Sequence, residues 1–367
     1  MATGNSDLAH GDAIEATIVL CTRNRASVLP KALETLASQV TNRAFEIVVV
    51  DNGSEDETAD VIAEWCRRDA RFRTVKEPRV GLSRAKNAGV KTARGRIVLF
   101  TDDDVLVGPN WVDAHLSLLV GRQDLMIAGG PILPISQDLA PWPDWLGEAS
   151  LLDLPLLDHG AVARPLGRWE QVWGANMAVP LAVFERIGLW DEGLGRKGDE
   201  RGTWEDIEFA DRLRNVGGEV WFCPGAVIWH RITPQRALPR RMLRAAFLRG
   251  LDDYVKRVWA SDEPGGAAIS LFKRAEALLA LWVHISIWLW WSLLFRFFRQ
   301  RRMFDAARDA AWSAGSRMME LTLRRTPGSR VPVEPPFLFN NRSTIARAIM
   351  QMCFLARRVA LRLAPPR

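Results

Sequence analysis

Short apolar runs alternate with stretches of helical periodicity along the first hundred residues. Ala16–Cys21, Glu46–Val50 and Ile97–Phe100 are near-continuously apolar, and a shorter run covers Phe72–Val75. Between them, Val28–Gln39 places Leu29, Ala32, Leu33 and Leu36 at helical spacing, with Pro30 tolerated in the first turn. Helices are also expected over Thr58–Arg67 and Leu82–Ala93. Strands apolar on both faces, alternating with helices, predict an α/β domain around a parallel sheet covered on both sides. From Trp111 to Tyr254 the pattern loosens. A helix near Trp111 is followed by a strand at Leu125–Ala128 and Gly/Pro-rich loops from Gly129 to Pro165. A helix is expected over Trp204–Val216, and strands over Val220–Cys223 and Ala226–Trp229.

Polar residues gather where the first-half strands end: Thr22-Arg-Asn-Arg25, Asp51-Asn-Gly-Ser54 and Thr101-Asp-Asp-Asp104. Open α/β sheets bind ligands at the carboxyl ends of their strands. Asp102 and Asp104 share a side of an extended chain, and three adjacent carboxylates repel one another unless a cation intervenes. Mg²⁺ and Mn²⁺ favour oxygen ligands and commonly bridge carboxylates to a diphosphate; a solvated acidic turn is the competing explanation. A second acidic cluster, Glu205-Asp206, opens a helix behind the Gly-rich segment 193–202. Helix-dipole compensation accounts for one of these two carboxylates.

The composition, 48% hydrophobic and 25% charged over 367 residues, excludes disorder and small disulfide scaffolds. It predicts two to three domains. Four scattered cysteines and a polar, leaderless start imply free thiols in a reducing cytoplasm, with Cys21 and Cys223 as small core residues.

Several motifs occur in a telling order: T-R-N-R at 22–25, V-D-N-G-S at 50–54, G-L-S-R-A-K-N-A-G at 81–89 and F-T-D-D-D at 100–104. G-A-N at 174–176, G-L-W-D-E at 188–192, W-E-D at 204–206 and V-I-W-H at 227–230 follow. In this order and spacing the chain resembles family-2-type inverting glycosyltransferases over about residues 14–255. The resemblance implies a GT-A fold, a Rossmann-like doubly wound mixed sheet, with 15–108 as nucleotide-sugar-binding half and 109–260 as acceptor half. A polar tail (1–14) and a helical, basic C-terminal region (261–367) flank it. It further implies donor binding by Thr22, Arg25, Asp51, Arg84, Asn87, Asp102 and Asp103. Asp104 and His230 would hold a Mn²⁺ or Mg²⁺ ion. Asp206 would be the general base supported by Glu205, and Asp191 and Trp204 would meet a saccharide or lipid-linked acceptor. Trp173, Trp190 and Trp204 are candidates for stacking on sugar rings, against the alternative of ordinary aromatic burial.

The tail changes the picture of location. Residues 261–367 hold 17 basic and 7 acidic residues, a net of +10, while the preceding 260 residues carry a net of −4. Ala277–Phe295 has no formal charge and would be about 28 Å long as a helix, marginal for a crossing. Sugar nucleotides are cytoplasmic, and a single crossing would leave Arg296, Arg299, Arg301 and Arg302 outside, against the positive-inside tendency. A return crossing would need Ile345–Leu363, which carries four arginines. The expectation is a tail lying in the cytoplasmic leaflet of the plasma membrane, with Trp282, Trp288, Trp290 and Trp291 at the interface. Nucleic-acid binding is not expected, because the globular part is acidic. A sugar-phosphate nucleotidyltransferase and a non-catalytic membrane scaffold stay open as alternatives.

Overall fold

The computed structural model describes residues 14–120, 126–135, 146, 154–168, 170–198, 205–234, 237–260, 281–282, 284–294 and 300–322. Its elements begin with β1 (Ala16–Thr22), α1 (Leu29–Ala37), β2 (Phe45–Asp51), α2 (Thr58–Arg68), β3 (Phe72–Lys76), α3 (Leu82–Thr92) and β4 (Ile97–Asp102). Next come β5 (Val105–Val107), α4 (Trp111–Leu119), β6 (Met126–Gly129), β7 (Ile132–Pro134) and β8 (Arg164–Pro165). β9 (Asn176–Pro180), α5 (Leu181–Ile187), α6 (Glu205–Asn215), β10 (Glu219–Phe222) and β11 (Ile228–His230) follow.

Eight strands form one sheet in the order β3-β2-β1-β4-β9-β6-β10-β8. β3, β2, β1 and β4 are parallel, whereas β9 runs antiparallel to both β4 and β6. The sheet is therefore mixed but mostly parallel: β6 and β10 run with β1 to β4, and β9 and the edge strand β8 run the other way. β9 escaped the hydrophobic pattern because Asn176-Met-Ala-Val-Pro180 is short and carries a polar residue and a proline at its ends. It is buried all the same from Asn176 through Val179.

Both faces of the sheet are covered. Ile18, Leu20, Ile47 and Val49 pack with Leu29, Leu33, Trp111 and Leu116 on one side. Val19, Val48, Val50 and Phe100 pack with Ala85, Val90, Phe184 and Phe209 on the other. Strand side chains alternate between faces, so only strands apolar at every position can serve both cores. α3 approaches β1 closely: a Cβ at Gly89 would lie 2.4 Å from Val19 Cγ1.

A second sheet, β5-β11-β7, stands beside the ligand end of the first. Its ladder sets His230 opposite Val105, one residue past Asp104.

The chain divides into two compact units, residues 1–138 with 155–231, and residues 139–154 with 232–367. Among the described residues, all strands lie in the first unit. The second contains α7 (Pro239–Ala260), helical residues at 281–282 and 284–294, and the helix Arg301–Thr322. α7 crosses Arg301–Thr322 tightly, since a Cβ at Gly250 would meet the Trp312 carbonyl oxygen at 1.8 Å. Among the described residues, no helix is long and apolar enough to cross a membrane.

Candidate active site at the carboxyl end of the sheet

Register places the ends of β1, β2 and β4 level: Thr22 is opposite Asp51, and Cys21 is opposite Asp102. Strand order reverses direction at β1, so the crevice beside it is where an open α/β sheet takes its ligand. Thr22 donates its hydroxyl to Asp103 Oδ2 at 2.7 Å, and Arg25 Nε lies 3.7 Å from Asp103 Oδ1. Burial, reinforced by Asp104, lifts the Asp103 carboxyl to about 7, against the pull of Arg25 and the Thr22 hydroxyl. Asp51 Oδ1 accepts the Ser54 amide at 2.9 Å, which shapes the turn that ends β2.

Asp102, Asp104 and His230 each present one ligand atom, and all three atoms lie within 4.8 Å of one another. The Arg231 amide donates to the Asp104 carbonyl at 3.1 Å, so backbone pairing as well as side chains draws β11 to the acidic turn. His230 Nδ1 lies 3.0 Å from the Arg231 carbonyl, and its Nε2 lies 3.5 Å from Asp104 Oδ1. An Nδ1–H fixed on a carbonyl oxygen orients Nε2 as a ligand atom, the usual arrangement behind metal-bound histidines. Burial and the Asp104 charge raise the Asp102 carboxyl above its ordinary range, with Lys86 and His230 opposing. Two carboxylates and an imidazole nitrogen suit a divalent cation, which would relieve that repulsion.

The second carboxylate pair sits at the start of α6. Asp206 Oδ1 accepts Lys86 Nζ at 2.7 Å, and Asp206 Oδ2 accepts the Gly174 amide at 2.7 Å. Glu205 Oε1 lies 3.8 Å from the same ammonium. Burial and the neighbouring Asp206 push Glu205 to about 7, with Lys86 pulling it down. Burial is also the largest single influence on Lys86, opposing its charge, but Asp206 and Glu205 together outweigh it and raise its pKa.

Other residues singled out in the sequence lie beside this centre in different roles. Asn87 is buried, donating Nδ2 to the Trp190 carbonyl and accepting the Trp190 amide on Oδ1. Arg84 Nε lies 3.1 Å from Glu192. These two side chains brace the 188–198 loop against α3, as do the Leu82 amide on the Arg196 carbonyl and the Ser83 hydroxyl on the Leu194 carbonyl. Asp191 is exposed and accepts the Gly193 amide at 2.7 Å. Trp190 is 2% exposed and stacked on Phe209 with ring centres 4.4 Å apart. It is a core aromatic and has no face for a sugar. Trp204 lies outside the described residues.

Lys86, Gly174 and Glu192 were missed by sequence reasoning. Lys86 carried a signal: Ser83, Lys86, Asn87 and Val90 form one helical stripe that is buried throughout. Polar side chains on a buried stripe need partners.

Residues 17–148 match the profile described as Glycosyl transferase family 2. Validoxylamine A glucosyltransferase of Streptomyces hygroscopicus subsp. jinggangensis is 31% identical over 223 residues, covering 55% of this chain and 51% of the relative. Hyaluronan synthase of Pasteurella multocida is 26% identical over 244 residues, covering 59% of this chain and 24% of the relative. The chain thus spans about half, or less, of these relatives' lengths. A mannosyltransferase from Pyrobaculum calidifontis, solved with GDP-Man and Mn²⁺, superposes with a TM-score of 0.53 at 17% identity. That match covers 84% of this chain and 87% of the other, and shows a shared fold. Over residues 17–148 the chain thus carries a family 2 glycosyl transferase domain, and its mixed α/β sheet has the GT-A fold.

Proposed function

We propose that this chain is an inverting, metal-dependent glycosyltransferase. It moves a sugar from a nucleotide-sugar donor, UDP-linked as first choice, to a hydroxyl of a saccharide or lipid-linked acceptor in cell-envelope polysaccharide synthesis. The observation that carries this reading is the convergence of Asp102, Asp104 and His230 at the switch point of the sheet. Asp104 and His230 would hold a divalent cation, Mn²⁺ or Mg²⁺, whose charge offsets that developing on a departing diphosphate. Asp51, with Thr22 and Arg25 beside it, receives the nucleoside. Asp102 and Asp103 meet the ribose side of the donor. Arg84 and Asn87 serve the donor by holding the 188–198 loop.

Asp206 accepts the proton of the acceptor hydroxyl as that oxygen attacks the anomeric carbon opposite the leaving diphosphate. One displacement inverts the configuration and needs no enzyme nucleophile. Glu205 supports the base, and Asp191 and Trp204 contact the acceptor.

The site of action we propose is the cytoplasmic face of the plasma membrane. Within the helical residues 281–282 and 284–294, Trp282 and Trp290 are 65% and 60% exposed, and Ile287 and Leu289 are exposed as well. An amphipathic helix with exposed tryptophans and a basic surround suits an in-plane position among anionic lipids.

The test is release of nucleoside diphosphate from UDP-glucose, UDP-galactose and GDP-mannose by purified protein, with and without Mn²⁺. Turnover is expected with metal and lost in excess EDTA. Asp104→Asn should abolish it while thermal unfolding stays cooperative; full activity in EDTA rejects the metal-bridged site.

A further inference from the structure

The G-A-N and S-R-A-K-N motifs meet at a point that donor and metal binding leave unexplained. Lys86 projects from the buried face of α3, its side chain 3% exposed. Its ammonium lies 2.7 Å from Asp206 Oδ1, 3.8 Å from Glu205 Oε1 and 5.2 Å from the centre of the Trp190 ring. An unpaired ammonium at such a depth would cost several kcal/mol, so this one is there for its carboxylates. Gly174, just ahead of β9, takes the other oxygen of Asp206. A Cβ at position 174 would stand 2.4 Å from Lys86 Nζ and 2.9 and 3.0 Å from the two Asp206 oxygens. A residue without a side chain is needed for both donors to reach the carboxylate together. Donors from two elements far apart in sequence therefore fix both ends of the Asp206 carboxylate.

We infer that Lys86 and Gly174 are positioning residues, a two-point clamp that holds the Asp206 carboxylate and aims its remaining lone pairs at the acceptor hydroxyl. This rests on the reading of Asp206 as the base. Lys86 faces Asp206 from α3, and Glu205 adjoins it on α6. Asp102 acts on the group from β4, while Cys21 on β1, near Lys86, has its thiol pushed up by burial to about 12 and is neutral.

The experiment compares wild type, Lys86→Met, Lys86→Arg, Gly174→Ala and Asp206→Asn. Turnover is read across pH with the best of UDP-glucose, UDP-galactose and GDP-mannose, and binding of the matching nucleoside diphosphate with Mn²⁺ by calorimetry. Lys86→Met should lower kcat at least about 100-fold, within the range positioned acid–base groups contribute, with diphosphate affinity unchanged. Its acid limb should move up by about one pH unit or more, as expected on removing an adjacent opposite charge. Lys86→Arg should return the limb to its wild-type position, and Gly174→Ala should lower kcat without weakening diphosphate binding. Wild-type kcat and acid limb in Lys86→Met, beside a dead Asp206→Asn, would overturn the clamp and leave the base assignment standing. Loss of diphosphate binding in Lys86→Met would make Lys86 a structural or donor residue and also overturn it. Should Lys86→Met fail to fold, Gly174→Ala decides by the same two readouts. An active Asp206→Asn, or a wild type inert toward every donor, sinks the reading of the site itself.

Discussion

Asp206 and Glu205 are neighbours in sequence, yet their surroundings divide their work. Asp206 receives a cation and a backbone amide, whereas burial beside it lifts Glu205 to about 7. Burial thus favours the protonated form of Glu205, while Asp206 is the group that two donors hold in place. Asp206→Asn keeps the shape and removes the proton acceptor, so transfer should fall about 10²–10⁴-fold with donor binding intact. Glu205→Gln should lose less. Steady-state rates of the two variants check the assignment, and a dead Glu205→Gln beside an Asp206→Asn within about threefold of wild type would exchange the roles. The anomeric configuration of the product, read by NMR, should be inverted relative to the donor.

At the scale of elements, β9 matters more than its five residues suggest. Its first residue, Asn176, donates Nδ2 to the Pro131 carbonyl ahead of β7 and to the Ala226 carbonyl ahead of β11. Its Oδ1 accepts Trp111 Nε1 at 2.8 Å and His115 Nε2 at 3.0 Å, both from α4. One amide therefore joins the large sheet, α4 and the strand that ends in His230. His115 is fully buried, and its Nδ1 has no hydrogen-bond partner among the described residues. Burial, against the hydrogen bond that Nε2 donates to Asn176 Oδ1, lowers its pKa to about 4. The unfolded chain binds this proton below about 6.5 and the folded chain does not until about 4, so stability is full above the first value and declines between the two. The loss is on the order of 3 kcal/mol. Urea unfolding of wild type and His115→Gln at pH 7 and pH 4.5 should show the wild type losing more. Equal losses would mean that His115 titrates normally.

For the molecule as a whole, an acidic catalytic unit is joined to a basic, tryptophan-bearing one. Full-length protein should float with vesicles containing anionic lipid, be released by high salt, and bind neutral vesicles weakly. Trp282→Ser with Trp290→Ser should weaken the binding at least about tenfold, since each ring contributes apolar burial at the interface. A full-length chain that ignores anionic vesicles ends the membrane reading. Cutting after about residue 265 would also remove the helix Arg301–Thr322, against which α7 packs at Gly250. The tryptophan variants are therefore the cleaner probe.

The first sheet half was legible from the chain because a strand buried on both faces must be apolar at every position, a local and sufficient signal. β1, β2 and β4, the helices between them and the polar strand ends at Thr22, Asp51 and Asp102–Asp104 follow from it, whereas the edge strand β3 is buried at Phe72 alone. The second half was not. β9 and the β5-β11-β7 sheet are short, and their pairing depends on partners up to 125 residues away rather than on their own pattern. Motif order named Asp104, His230 and Asp206 as candidates. The β5–β11 ladder alone set His230 beside the acidic turn, and α3 alone brought Lys86 to Asp206. Trp190 shows the converse: the sequence offered an aromatic in a loop, and packing on Phe100, Phe184 and Phe209 turned it inward. Sequence determined which segments must be buried and where charge collects. Tertiary structure decided which charges meet, because such meetings depend on strand order and register, and no local pattern records them.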